Sequence, residues 1–270
     1  MNDAAEPTGR PLALVTGASS GIGFELAREF AAHGFDVLAV AEDAAIATTA
    51  SELRSCDGDV YPMQVDLASE RGVEELWRRV RELGRPVDAA ALNAGVGAGG
   101  AFATDTVLED ELGLVDLNVR STVHLAKHLV REMVARGEGR ILFTSSVAAT
   151  MPGPFQAVYN ASKSFVQSFA LALRDELRDT GVTITSLMPG PTETEFFVRA
   201  GMLDTRIGAG DKDDPADVAH DGFAALMAGE ERVVSHSLKT RAQGRASRVL
   251  PDGAKAAAHR RLAEPGSGKR

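Results

Sequence analysis

The apolar pentapeptide Leu12-Ala13-Leu14-Val15-Thr16 runs into the turn Gly17-Ala18-Ser19-Ser20-Gly21-Ile22-Gly23, and the chain leaves that turn with Ile22, Leu26, Ala27 and Phe30 at helical spacing. A strand, a glycine-punctuated turn and a helix in immediate succession constrain the fold more than any other feature here. Glycine at 17, 21 and 23 allows a tight turn, close approach of backbone to a bound group and close packing of helix on strand. The free N–H groups and positive dipole end of the helix then face the space beyond the strand, an arrangement suited to a pyrophosphate. Gly17, Ser19, Ser20, Gly21, Ile22 and Gly23 are therefore the candidate phosphate-binding residues.

The alternation continues along the chain. Strands are predicted over 36–41, 59–64, 87–92, 140–145, 182–188 and 232–235, and helices over 44–54, 69–83, within 109–136, 156–180 and 215–228. Strands alternating with helices imply right-handed crossovers and a parallel sheet covered on both faces. The expected architecture is α/β: one doubly wound, Rossmann-type domain over 11–235, with a parallel sheet of about seven strands flanked by helices. Residues 1–10 are expected to be a disordered arm. The segment 193–214 departs from the alternation at the carboxyl edge of the sheet, the usual place of a functional lid. Its Phe196, Phe197, Met202 and Leu203 either close over an apolar substrate or anchor the loop to the core.

Glu42 follows the second strand, where an acid can accept hydrogen bonds from an adenosine ribose and repel a 2′-phosphate. No Lys or Arg occurs between Gly34 and Leu53. NAD is thus favoured over NADP, unless Glu42 is only a solvated loop residue and a distant arginine meets the phosphate. Asp66, followed by Leu67, ends the third strand. It is placed to bond an adenine amino group or to cap the next helix, although Ser69 suits the cap better.

Tyr159 and Lys163 stand four residues apart in Tyr159-Asn160-Ala161-Ser162-Lys163, with Ser146 thirteen residues earlier. On a helix, positions i and i+4 share a face. A phenol titrates near ~10, so it exchanges protons at neutral pH only when a cation stabilises its charged form. Lys163 is placed to supply that cation, and Ser146 at a strand end a second hydroxyl. With these residues assembled, the chain resembles the short-chain dehydrogenase/reductase family over about residues 10 to 235. The matching elements are the turn from Thr16 to Gly23, Asn93-Ala94-Gly95, Asn118, Ser146, Tyr159 with Lys163, and Pro189-Gly190 with Thr192 and Thr194. The spacing is that of the family's compact branch.

That resemblance implies catalytic roles for Asn118, Ser146, Tyr159 and Lys163. Tyr159 would exchange a proton with the substrate oxygen, Ser146 would polarise that oxygen, Lys163 would bind the nicotinamide ribose and lower the tyrosine pKa, and Asn118 would hold a water. It also implies that Asn93, Ala94 and Gly95 line the adenosine side, and that Pro189, Gly190, Thr192 and Thr194 fix the nicotinamide. The implied activity is NAD(P)-dependent interconversion of a secondary alcohol and a ketone, by a homodimer or homotetramer paired through the helices of 109–136 and 156–180. The absence of Lys and Arg from 147–155 favours a moderately apolar small molecule as substrate.

Composition narrows the alternatives. The net charge of −9 divides into −17 for residues 1–231 and +8 from Arg232 onward, where ten Lys or Arg face two acids. The acidic body argues against nucleic acid as a partner. The single cysteine, Cys56, excludes an internal disulfide and a multi-cysteine metal site, and no metal is expected. Apolar runs are far shorter than the ~20 residues of a membrane span. The first ten residues lack a signal-peptide layout, so a cytoplasmic location is expected. The extension 236–270 carries a stripe of Leu238, Ala242, Ala246, Val249 and Leu250 and then a basic helix over 254–263. Docking of this extension on the acidic body or on a sister subunit is favoured over an anionic membrane. Two other functional readings stay open: a non-catalytic dinucleotide sensor or scaffold, and a peripheral membrane or partner-binding protein acting through the basic tail.

Overall fold

The computed structural model describes residues 9–53, 57–234 and 251–269; Cys56, residues 1–8 of the expected arm and the stripe from Leu238 to Leu250 lie outside the described residues. The strands are β1 Leu12–Thr16, β2 Asp36–Ala41, β3 Val60–Gln64, β4 Ala89–Leu92, β5 Gly139–Thr144, β6 Val182–Met188 and β7 Arg232–Val234. They form one parallel sheet in the order β3-β2-β1-β4-β5-β6-β7. The helices are α1 Gly21–Ala32, α2 Ile46–Glu52, α3 Glu70–Glu82, α4 Leu108–Val115, α5 Thr122–Arg136, α6 Ala157–Glu176, α7 Phe196–Arg199, α8 Arg206–Ala209, α9 Pro215–Ala228 and α10 Asp252–Ala263. Among the described residues, no helix is long and apolar enough to cross a membrane.

The pleat sorts successive strand residues to opposite faces. Leu12, Leu14, Leu38 and Val40 pack with Leu76, Trp77 and Val80 of α3 and with Leu125, Leu129 and Met133 of α5. Ala13, Val15, Val37 and Ala39 meet Leu26, Ala27 and Phe30 of α1 and Phe223 and Leu226 of α9. Burial on both faces explains why the central strands read as continuous apolar runs. β1 pairs with β2 on one side, Thr16 opposite Val40, and with β4 on the other, Val15 opposite Ala91. The strand order reverses there, which opens a crevice beyond the carboxyl ends of β1 and β4.

The long helix expected within 109–136 is three pieces. A π-helical turn, Asp116–Ser121, separates α4 from α5 and carries the buried Asn118. The helix expected to reach residue 180 stops at Glu176, where Thr180 Oγ1 bonds the Leu177 carbonyl and Gly181 adopts φ 78°. Ser69 caps α3 by accepting from Gly72 N at 3.0 Å. A single carboxylate oxygen of Glu74 takes both His124 Nε2, at 2.7 Å, and His128 Nε2, at 3.1 Å, and so ties α3 to α5. Trp77 stacks on His128 from the core side.

Phe30 is fully buried and meets Phe35 and Phe223 edge-on, with ring centroids 5.2 and 5.1 Å apart. Phe30→Ala is expected to cost about 3–5 kcal/mol through the cavity it leaves. In urea unfolding this would appear as a lower midpoint with an unchanged slope.

Candidate active site

The groove at the switch point begins with the glycine turn. Gly17 and Gly21 have φ of 68° and 56°, a region other residues rarely adopt. A Cβ on Gly23 would lie 2.0 Å from the Gly17 carbonyl oxygen and 2.6 Å from Asn93 Nδ2, so only glycine fits. Thr16 Oγ1 accepts from Asn93 N and Ala94 N, both at 3.0 Å, and Asn93 Nδ2 donates to Thr16 O. Thr144 Oγ1 completes the knot on Asn93 Oδ1 at 3.1 Å. The Asn93 side chain therefore fastens β1, β4 and β5 together at the lip of the groove. The first turn of α1 carries no acid of its own, which leaves the positive end of the helix uncompensated from within the helix.

At the other end, Ser146 lies beside Tyr159, close enough to pull its pKa down, and its hydroxyl donates to the Pro189 carbonyl at 3.4 Å. Ser146 also caps the short 3₁₀ turn Val147–Thr150 by accepting from Ala148 N at 3.1 Å, so the cap and the site use the same side chain. Lys163, on the same face of α6, donates from Nζ to the Thr144 carbonyl at 2.9 Å and lies 5.9 Å from the centre of the Tyr159 ring. Burial pushes the phenol up to about 12, against the pull of Ser146, and pushes Lys163 down to about 8. Burial thus dominates the phenol in the protein alone, and the opposing pull comes from Ser146 and not from Lys163.

Asn118 sits behind the groove. Its Oδ1 accepts from Val96 N at 2.9 Å, and its Nδ2 donates to Val96 O at 2.9 Å and to Ser162 Oγ at 3.0 Å. Both amide protons are used by the protein, so the side chain positions the strand exit. A Cβ on Gly95 would lie 3.0 Å from Asn118 Oδ1 and 3.2 Å from Lys163 Nζ, so a side chain there would crowd both.

Ser19, Ser20, Ile22, Glu42, Leu67, Ala94, Pro189, Gly190, Thr192 and Thr194 all line the groove. Asp66 does not. It is exposed, and its carboxylate accepts from Ala68 N at 2.8 Å to make the turn into α3. Two residues that the sequence did not single out join Glu42. Asp43 accepts from Ser19 Oγ at 2.9 Å, and Arg199 of α7 approaches Glu42 at 3.9 Å, Asp43 at 3.7 Å and Glu195 at 2.7 Å. Arg199 lies 157 positions from Glu42, and no local pattern connects them.

The segment 193–214 closes at its base through a bridge between Thr192 and Asp213. Its apolar residues divide between the two expected roles. Phe196 packs over Gly97, with its ring 5.1 Å from that of Tyr159. Phe197 and Met202 are buried anchors, and Leu203 is exposed. The described part of the extension docks on the chain's own body: His259 and Leu262 of α10 line the same groove. A basic helix over 254–263 was legible in the sequence, but the surface it meets was not.

A dinucleotide fits these residues. The groove runs from an acid-free helix N-terminus past Glu42 and Asp43 on one side and to Tyr159 on the other. The comparisons agree. A short chain dehydrogenase family model matches residues 11–201. A short-chain type dehydrogenase/reductase of Sinorhizobium fredii is 37% identical over 186 residues, covering 69% of this chain and 71% of that protein. A short-chain dehydrogenase from Sphingobium yanoikuyae in complex with NADPH superposes with a TM-score of 0.77 at 28% identity, covering 89% of this chain and 96% of that one. One from Burkholderia phymatum in complex with NAD gives 0.78 at 25% identity, covering 88% and 92%. With fold, groove and glycine turn in agreement with these matches, the chain belongs to the short-chain dehydrogenase/reductase family and is an oxidoreductase that uses a nicotinamide dinucleotide.

Proposed function

We propose that this protein interconverts a secondary alcohol and a ketone with NAD as its cofactor. The observation that carries the reading is the meeting of Ser146, Tyr159 and Lys163 at one end of a groove whose other end is acidic. The dinucleotide, when bound, accepts or supplies the hydride. Tyr159 gives or takes the proton of the substrate oxygen, and Ser146 holds that oxygen in line. Lys163 places a positive charge under the site, and Asn118 fixes the Val96 backbone beside it.

The NAD preference rests on charge. Glu42, Asp43 and Glu195 surround Arg199, so three acids face one base where a 2′-phosphate would have to sit. Beside the reacting end, Val147, Ala148, Met151 and Phe196 make the lining apolar, which supports a neutral, moderately apolar substrate. Exposed Leu112, Val123 and Phe165 on α4, α5 and α6 support pairing of two or more copies.

Tyr159→Phe is expected to lower kcat by about 10²–10⁴-fold on a panel of ketones and alcohols, with the dissociation constant for NADH within about threefold of wild type. Retained turnover in this variant would sink the acid/base assignment. Wild type is expected to bind NADH more tightly than NADPH, and Glu42→Arg to reverse that order; an unchanged ratio removes Glu42 as the selector. Ketone reduction needs a protonated phenol, held to about 12, and a charged ammonium, held to about 8. The pH profile of kcat/KM is therefore expected to stay level below 8 and fall above it, and a level profile through about pH 9 would contradict the role of Lys163. Light scattering on eluting wild type is expected to give a dimer or tetramer, with Val123→Glu combined with Phe165→Glu shifting it toward monomer; a monomeric wild type excludes pairing.

A further inference from the structure

The C-terminal segment holds both adjustable walls of the groove, although the matched family region ends at residue 201. On one side, His259 Nδ1 bonds the Pro154 carbonyl at 3.1 Å, and the Arg260 guanidinium lies 5.0 Å from the Phe155 ring. Phe155 has φ 66° and is the sole positive-φ residue other than glycine among the described residues. Such a conformation persists only where surrounding contacts hold it. On the other side, Ala263 packs with Phe197, Ala200 and Met202 of the lid. Gly266 N donates to Asp204 Oδ2 at 2.8 Å, Gly268 N to Asp204 O at 2.8 Å, and Arg206 N to Ser267 Oγ at 3.0 Å. Segment 251–269 is thus fastened to the exit of the Ser146 segment and to the lid at once. Between these fastenings His259 and Leu262, one turn apart on α10, reach the groove.

We propose that α10 is the outer wall of the substrate pocket, and that Leu262, with His259 beside it, sets the size of the substituent the pocket accepts. This rests on the groove being the alcohol/ketone site described above. The wall presents no charge to that substituent. The Pro154 carbonyl can only accept, so Nδ1 carries the hydrogen that it bonds, and burial lowers the His259 pKa against the pull of that bond, which favours the neutral ring. Arg260 turns to Phe155, and Arg260 and Arg261 are both exposed. The ligand class that fits is a neutral ketone or alcohol whose far substituent is apolar.

The test changes the volume at 262 in the full-length chain. Leu262→Trp and Leu262→Ala are assayed with NADH on a series of aryl alkyl ketones of rising bulk. The same ketones are titrated into the NADH complex and followed by cofactor fluorescence. Leu262→Trp is expected to lower kcat/KM for the bulkiest ketones by about tenfold or more while leaving the smallest within about twofold, and Leu262→Ala to shift the optimum toward larger members. Affinity for NADH alone should remain within about twofold of wild type. Size profiles that superimpose on wild type for both active variants overturn the proposal and leave the enzyme reading intact. A wild type that binds the series but turns none over refutes the alcohol/ketone reading, and the fluorescence profiles then decide the wall on their own.

Discussion

The absence of a side chain at Gly23 is the constraint from which the rest of the site is built. With its Cβ position 2.0 Å from the Gly17 carbonyl oxygen, α1 can press onto the end of β1 closely enough for Asn93 to reach Thr16 and for Thr144 to reach Asn93. Those bonds close three adjacent strand ends into one rigid lip. β5 leaves that lip directly into Ser145 and Ser146, and Lys163 returns to it through the Thr144 carbonyl. The phosphate end and the reacting end therefore share one anchor.

The two ionisable groups at the reacting end are held in tension by burial. Desolvation favours the neutral phenol and opposes the charged ammonium, so the protein alone keeps Tyr159 as a proton donor and weakens the hold of Lys163 on its proton. The π-helical turn at Asn118 belongs to the same economy of space. Its extra residue lets a helix interior present an amide to Val96 and Ser162, two points that a regular helix would leave unserved.

The sheet, its order of elements and most of the site were legible because their signals are local. Val182–Met188 and Pro215–Ala228 coincide with the periodic segments that predict them. Ser146, Tyr159 and Lys163 lie within eighteen positions and meet because one strand end and one helix face bring them together. What the sequence left open has a different cause. Asp66 had two chemically sensible uses, and one oxygen of its carboxylate accepts from Ala68 N in the turn into α3. Arg199 reaches Glu42 across 157 positions, and His259 reaches Pro154 across 105, through packing that no window of sequence records. The break at residues 116–121 was hidden because its apolar spacing still suits a continuous helix.

α7 is a single helical turn, yet it touches both ends of the groove. Phe196 lies against the Tyr159 ring, and three residues later Arg199 sits among Glu42, Asp43 and Glu195. Any displacement of this turn that admits a substrate also alters the charge around the ribose end, and any group that draws Arg199 away moves the ring over the tyrosine. The two occupants are then thermodynamically linked, each changing the affinity for the other by the same factor. Cofactor and substrate would be read by this protein as one joint event and not as two independent ones.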